Sequence, residues 1–315
     1  TLLYKLAQSS YTSTINTLEG QVASAYWNVV AANLALNIQQ LDMQNKQASL
    51  SRVNERYEGG LATTLEVSEA ELSVSNAKVL LQQQQQAVAN AKLTLQNLIG
   101  EPVETTSDDL VEPRALESLE YLNALALQTS TIKTLKLNAE KAELTYAQTN
   151  HTAFSPALSF SASTSFSGEI STTGTQLQDN TTLSVSLSVP LDSYLPNSKA
   201  QIDRKNLDND ITIANNNLTH GIETLLARIQ QSYSVLAQAE ATLQYLGEYK
   251  AVTDKNFELT QSAYEAGEIP YSSLEDTQNN RSNASLAILQ QQVTYTLALY
   301  DLSNLLETDI NTLFQ

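Results

Sequence analysis

The chain contains no cysteine. That excludes disulfides, thiolate zinc sites and cysteine nucleophiles, and it is compatible with an envelope or extracellular bacterial protein. Glycine and proline are scarce, nine and six in 315 residues, as expected of long elements joined by few turns. Basic residues are in the minority: 17 Lys and Arg stand against 34 Asp and Glu, a formal charge of −17. Phosphate binding needs a basic footprint, so nucleic acid is not expected as a partner. No run approaches eighteen consecutive apolar residues, so no transmembrane helix is expected. Thr1-Leu2-Leu3-Tyr4-Lys5 does not read as the start of a signal peptide. The two histidines, His151 and His220, are far apart and read as surface or strand-junction residues rather than metal ligands. A phosphate-cradling glycine loop, a Gly-x-Ser-x-Gly elbow and a metalloprotease histidine pair are all missing. The expectation is a non-enzyme with no catalytic, cofactor or metal site.

What is present is a long repeat. Tyr57-Glu58-Gly59-Gly60 recurs 207 residues later as Tyr264-Glu265-Ala266-Gly267. The same offset carries Ile15, Thr17, Leu18 and Tyr26 onto Ile222, Thr224, Leu225 and Tyr233. It also carries Ser75-Asn76-Ala77 onto Ser282-Asn283-Ala284, and Ala91, Leu95, Asn97 and Leu98 onto Ala298, Leu302, Asn304 and Leu305. An inserted residue would rotate a helical apolar stripe by about 100°. An ungapped repeat therefore points to two equivalent helical hairpins.

Apolar residues at three- and four-residue steps predict a helix over about 5–58, stopped by Gly59-Gly60. Thr63 or Thr64 can cap a second helix over about 65–99. An irregular connector over 101–115, with Pro102, Asp108-Asp109 and Pro113, leads to a shorter helix over about 116–148. The period then becomes two. Leu158–Phe166 and Leu183–Val189 alternate apolar residues with Ser, Thr and Ala, as strands with one apolar and one hydroxyl-rich face do. A polar loop, Ser167–Thr182, is expected between them. Such alternation also fits a water-soluble hairpin packed on helices, but nine to eleven residues is the length a tilted strand needs to cross a bilayer, where the serines would line a wet lumen. Two further helices, about 199–263 and 273–313, form the second hairpin. Sixty-five helical residues run on the order of 100 Å, which calls for partner helices and partner chains.

Acidic residues follow both turn glycines. Glu66 and Glu69 share a helix face, and Glu275 and Asp276 occupy similar positions after Gly267. They either answer the dipole at a helix N-terminus or, where several chains converge, form rings that narrow a pore and favour cations.

The order and spacing of these features resemble the TolC-like outer membrane efflux protein family, the outer membrane factors. The residues that carry the resemblance are Tyr57-x-x-Gly60, Tyr264-x-x-Gly267, Tyr26, Tyr233, Asn97-Leu98-Ile99-Gly100, Pro156-Ala157-Leu158-Ser159 and Leu187-Ser188-Val189-Pro190-Leu191. The resemblance implies a mainly α fold with a β-hairpin. Long antiparallel coiled-coil hairpins would build a periplasmic tunnel, and the strands would join a transmembrane β-barrel in a homotrimer. It divides the chain into a first periplasmic hairpin (1–100), an equatorial connector (101–118), a helix (119–154), a transmembrane β-hairpin with its extracellular loop (155–191) and a second periplasmic hairpin (192–315). The implied function is that of a passive exit duct in the outer membrane of a Gram-negative-type bacterium. Its implied partners are outer-membrane lipid, a periplasmic adaptor and an inner-membrane pump. Tyr57, Gly60, Tyr264 and Gly267 would mark the tip turns and adaptor docking, and Glu66, Glu69, Ser273, Glu275 and Asp276 the constriction. Ser273 stands where the family often carries an acid. The family's protomer gives four strands to the barrel, whereas this chain shows two, so about a hundred further residues are expected upstream. The rival reading is a secreted or surface coiled-coil filament protein, which shares the Gln, Asn, Ser, Thr and Ala richness.

Overall fold

A computed structural model describes residues 2–104, 106, 110–171 and 174–315. Asp108-Asp109 of the expected connector, and Thr172 and Thr173 of the expected loop, lie outside the described residues. In chain order the elements are α1 (Leu2–Glu58), α2 (Thr64–Ile99), α3 (Leu119–Ala126), α4 (Ser130–Phe154), β1 (Ala157–Ser171), β2 (Gly174–Ser188), α5 (Lys199–Glu265) and α6 (Tyr271–Leu306). Short 3₁₀ turns at Leu191–Tyr194 and Ile310–Leu313 complete the chain. It divides into two compact units, one of Thr1–Gln8 with Thr131–Ile222, the other of Ser9–Ser130 with Glu223–Gln315.

The second unit has a core drawn out along the helices, because narrow stripes rich in alanine and serine leave little to gather at one point. Ala25, Val29 and Leu95 are buried together, with Val22, Tyr26, Ala91 and Val103 against them. Trp27 packs on Tyr300 with ring centroids 5.3 Å apart. A second cluster joins Val53, Ala70, Tyr264, Tyr271 and Leu274, so all four long helices contribute to it. Beyond α2 the chain is tied down by polar contacts to α6. The Val111 amide donates to Thr296 Oγ1 at 3.2 Å and the Arg114 amide to Tyr295 Oη at 3.2 Å. Leu116 then forms a β-bridge with Phe314.

The helix expected over 116–148 is two helices. Thr129 Oγ1 donates to the Ala126 carbonyl at 2.8 Å, closing α3. The Glu307 carboxylate accepts from the Ser130 amide at 2.7 Å and from Ser130 Oγ at 2.6 Å, capping α4. No glycine or proline marks this break, because the cap comes from 177 residues away. Glu307 itself adopts φ 52° where α6 ends, short of the expected 313.

In the other unit, β1 and β2 pair antiparallel from Ala157↔Ser188 to Ser171↔Gly174. The strands therefore run through most of the segment expected as a polar loop. Its Ser, Thr, Gln and Ile residues are compatible with extended backbone, and a continuous ladder satisfies their amides and carbonyls. One face carries Leu158, Phe160, Leu183, Val185 and Leu187, all largely exposed. The other carries hydroxyl pairs, Ser159 with Ser186 at 2.7 Å and Ser161 with Ser184 at 2.6 Å. Below the strands, Tyr194 Oη donates to the Phe154 carbonyl and its ring meets Phe154 edge-on. Among the described residues no helix is long and apolar enough to cross a membrane.

The cap on α4 gives a direct test. Glu307→Ala leaves the first turn of α4 without its acceptor, a loss of about 1–2 kcal/mol for a charged cap. Urea denaturation followed by circular dichroism should show a lower midpoint, and an unchanged midpoint would remove the cap from the account.

Candidate functional site

The two hairpin turns lie together. α1 ends at Gly60 (φ 74°) and α5 at Gly267 (φ 77°), backbone conformations that a side chain would strain. Each turn is closed by its own backbone bonds, including Leu61 N–H to the Arg56 carbonyl at 2.7 Å and Glu268 N–H to the Ala263 carbonyl at 3.0 Å. Arg56 joins them, donating from Nη1 to the Glu265 carbonyl at 3.0 Å while its guanidinium lies 4.7 Å above the Tyr264 ring. The repeated tyrosines have separate fates. Tyr57 is 47% exposed, whereas Tyr264 is 2% exposed in the tip cluster. Tyr271, also buried there, lies 5.9 Å from Tyr264 between ring centroids. Burial raises both phenol pKa values.

The five constriction candidates divide in the same way. Thr63 caps α2, its amide donating to Glu66 Oε2 at 2.7 Å while the Glu66 amide donates to Thr63 Oγ1 at 3.2 Å. Glu66 is thereby engaged in a capping box. Glu275 faces inward, its Oε1 4.0 Å from Lys46 Nζ. Ser273 is half-buried and its carbonyl accepts from Thr277 Oγ1 at 3.4 Å. Glu69 is half-buried and Asp276 is exposed.

Sequence reasoning missed the charged groups that hold the hairpins together. Lys46 is 3% exposed and donates to Asn279 Oδ1 at 2.6 Å. Burial lowers its pKa, with Asp42 and Glu275 pulling the other way. Burial raises the pKa of Asp42, against the attraction of Lys46 and a bond from Ser282. Nearer α5, Asp254 accepts from Arg281 Nε at 2.7 Å and from Lys250 Nζ at 2.5 Å. Burial alone would raise the Asp254 pKa, but Lys250 and Arg281 outweigh it and hold the carboxyl below its ordinary 3.8. The usable signal was departure from the repeat: Lys46, Arg56, Asp254 and Arg281 align with Thr253, Ala263, Gln47 and Val74. Among the described residues no group of His, Asp and Glu is placed to hold a metal ion.

The chain thus contains paired long helices and an antiparallel strand pair with an exposed apolar face. Residues 3–101 match the outer membrane efflux protein family model. The pyoverdine export outer membrane protein OpmQ of Pseudomonas aeruginosa is 26% identical over 280 residues, covering 87% of this chain and 58% of OpmQ. The chain thus spans rather more than half the length of that relative. Among solved structures, CusC superposes with a TM-score of 0.84 at 15% identity, over 98% of this chain and 72% of CusC. The outer membrane protein VceC of Vibrio cholerae superposes with a TM-score of 0.82 at 14% identity, over 97% of this chain and 73% of VceC. Residues 3–101 thus carry the sequence signature of outer membrane efflux proteins, and nearly the whole chain has the fold of TolC-like outer membrane channels.

The Asp254 pair makes a pH prediction. A carboxyl with a depressed folded pKa adds stability above its unfolded pKa and loses it as pH falls through the folded value. Asp254→Asn should lower Tm at pH 7, and the difference from the native chain should shrink as pH falls below the ordinary carboxylate range. A Tm difference of the same size at pH 7 and in acid would mean that the charge contributes nothing.

Proposed function

We propose that the protein is the passive exit duct of a tripartite export system, acting as a homotrimer that spans the outer membrane and reaches through the periplasm. Its energy comes from an inner-membrane pump, linked through a periplasmic adaptor that docks at the tips formed by residues 57–64 and 264–271. The observation that carries this reading is the strand pair. Leu158, Phe160, Leu183, Val185 and Leu187 share one exposed face while serine pairs line the other. An apolar face of this size on a solvated hairpin would be costly, but lipid outside and water inside match both faces. The same feature favours a membrane protein over a soluble filament.

The strands are fifteen residues each, longer than the roughly nine to eleven needed to cross the hydrocarbon at a tilt. Their outer ends would stand above the membrane, where the polar residues around Asp179 and Asn180 belong. Each chain here supplies one hairpin, which would pair with further strands to close the barrel, since an open sheet edge is not tolerated in lipid. OpmQ is named for pyoverdine export. A lumen of Ser, Thr, Gln and Asn is wet and unselective, so choice of cargo falls to the pump and adaptor rather than to this chain. At the tip, Glu66 and Glu275 have partners within the chain; of the other two carboxylates Glu69 is half-buried and Asp276 exposed, so Asp276 is the one placed to narrow the pore on the trimer axis.

Single-channel recording of the intact protein in a planar bilayer tests this. A small steady conductance that rises several-fold in Asp276→Ala is expected. An unchanged conductance would move the constriction elsewhere, and failure of the intact protein to form channels would contradict the duct.

A further inference from the structure

The strand pair ends on a firmly built turn. Beyond the ladder pair Ala157↔Ser188, the Leu191 amide donates to the Val189 carbonyl at 2.9 Å and the Ser193 amide to the Pro190 carbonyl at 3.2 Å. The Ser193 carbonyl accepts from Ser198 Oγ at 3.3 Å and from Gln201 Nε2 at 3.2 Å, which ties the turn to the start of α5. Tyr194 is fixed through its hydroxyl to the Phe154 carbonyl. Despite these bonds the turn leaves Val189, Leu191, Tyr194 and Leu195 exposed. The apolar surface of the strands thus continues past their end.

Basic residues begin where that surface stops. Lys199, Arg204 and Lys205 fall within seven residues and are all exposed. Positive charge is unevenly shared along the chain. The unit that holds the strands sets seven basic residues against eight acidic ones, whereas the other sets ten against twenty-six. Lys199 pairs with Asp203 at 2.6 Å, but both side chains are open to water, so the pair is weak. Arg204 and Lys205 form no ion pair among the described residues. The Arg204 guanidinium lies 5.5 Å from the centre of the Phe154 ring, which holds it in place.

Beside these residues lies an open groove of about 680 Å³. Pro196 and Asn197, directly after Leu195, line it together with Tyr146, Arg204, Lys205 and Asp208. Two cations there meet one carboxylate. A second hollow of about 200 Å³ shares Arg204 and is lined by Phe154 and Lys199. Arginine and lysine beside a groove suit a phosphodiester, and an exposed apolar turn suits acyl chains. Both chemistries on one molecule describe a phospholipid, and the cationic excess in the groove selects an anionic one. Continuity with the strands' apolar face favours that lipid over a protein partner.

We propose that this collar binds an anionic phospholipid of the periplasmic leaflet. Arg204 and Lys205 hold its phosphodiester in the groove, and its acyl chains lie on Leu191, Tyr194 and Leu195. The proposal rests on the membrane reading of the strands and adds to it a headgroup site and the charge that the site prefers.

Native mass spectrometry of the intact protein tests it, with equal amounts of phosphatidylglycerol and phosphatidylcholine of the same acyl chains in the detergent. Phosphatidylglycerol should be retained several-fold over phosphatidylcholine. Arg204→Gln combined with Lys205→Gln should abolish that preference. Lys133→Gln combined with Lys136→Gln makes the same change of charge at exposed positions toward the other end of α4, and should leave the preference intact. Loss in both double variants, or in neither, would overturn the proposal. Lys205→Gln alone should lose part of the preference while its circular dichroism matches that of the native chain, which separates lost binding from lost folding. Displacement of the lipid by inorganic phosphate at the same concentration would also overturn it, since the groove would then need no acyl chain. Channel formation in a planar bilayer distinguishes this claim from the one beneath it. Channels without a lipid preference would refute the headgroup site and spare the duct, whereas neither channels nor preference would refute both.

Discussion

The contact between the two copies of the repeat is what the rest of the helical structure depends on. A single hairpin of alanine- and glutamine-rich helices has too narrow an apolar stripe to be stable alone. Here α1 of the first copy and α6 of the second meet through Gly20 against Asn304, Trp27 against Tyr300, Lys46 against Asn279 and Val53 in the tip cluster with Tyr271 and Leu274. Aromatic and aliphatic contacts supply most of the burial. Lys46 is costly there: its burial is tolerated because Asn279, Asp42 and Glu275 surround it, and removal of any one would leave charge without an answer.

That seam also explains what could be read from the sequence. The long helices, both turn glycines, the Thr63 cap and the alternating strands were legible because each is a local pattern. Their order and spacing carried the resemblance to outer membrane efflux proteins. The residues joining the copies were not legible from the repeat, since each copy turns a different face to the other. Lys46, Arg56 and Arg281 stand at positions where the repeat fails, and a search for what recurs passes over them. The α3–α4 break was hidden for a related reason, its cap being Glu307 from the far end of the chain. Gly168, Asp179 and Asn180 looked like loop residues, yet the ladder runs past them to end at Gly174, because pairing along a long hairpin outweighs weak local turn preference.

The acidic residues at the tip show how a shared composition can conceal separate roles. Glu66 closes a capping box and Glu275 faces the buried Lys46. Asp276 stays exposed with no such duty shown within the chain. A sequence count sees a cluster of carboxylates, while the geometry divides it between holding helices and facing solvent. This is why the proposed constriction narrows to one residue.

The central claim is that the strand pair stands in the outer membrane with lipid on its apolar face and water on its serine face. Cysteines placed singly from Leu158 to Phe166 in the intact protein, and treated in whole cells with a small, charged maleimide, test it most directly. The account predicts alternation: labelling at Ser159, Ser161, Ser163 and Ser165, and protection at Leu158, Phe160 and Ala162. Uniform labelling along the segment would contradict it, since a hairpin wet on both faces is not in a membrane.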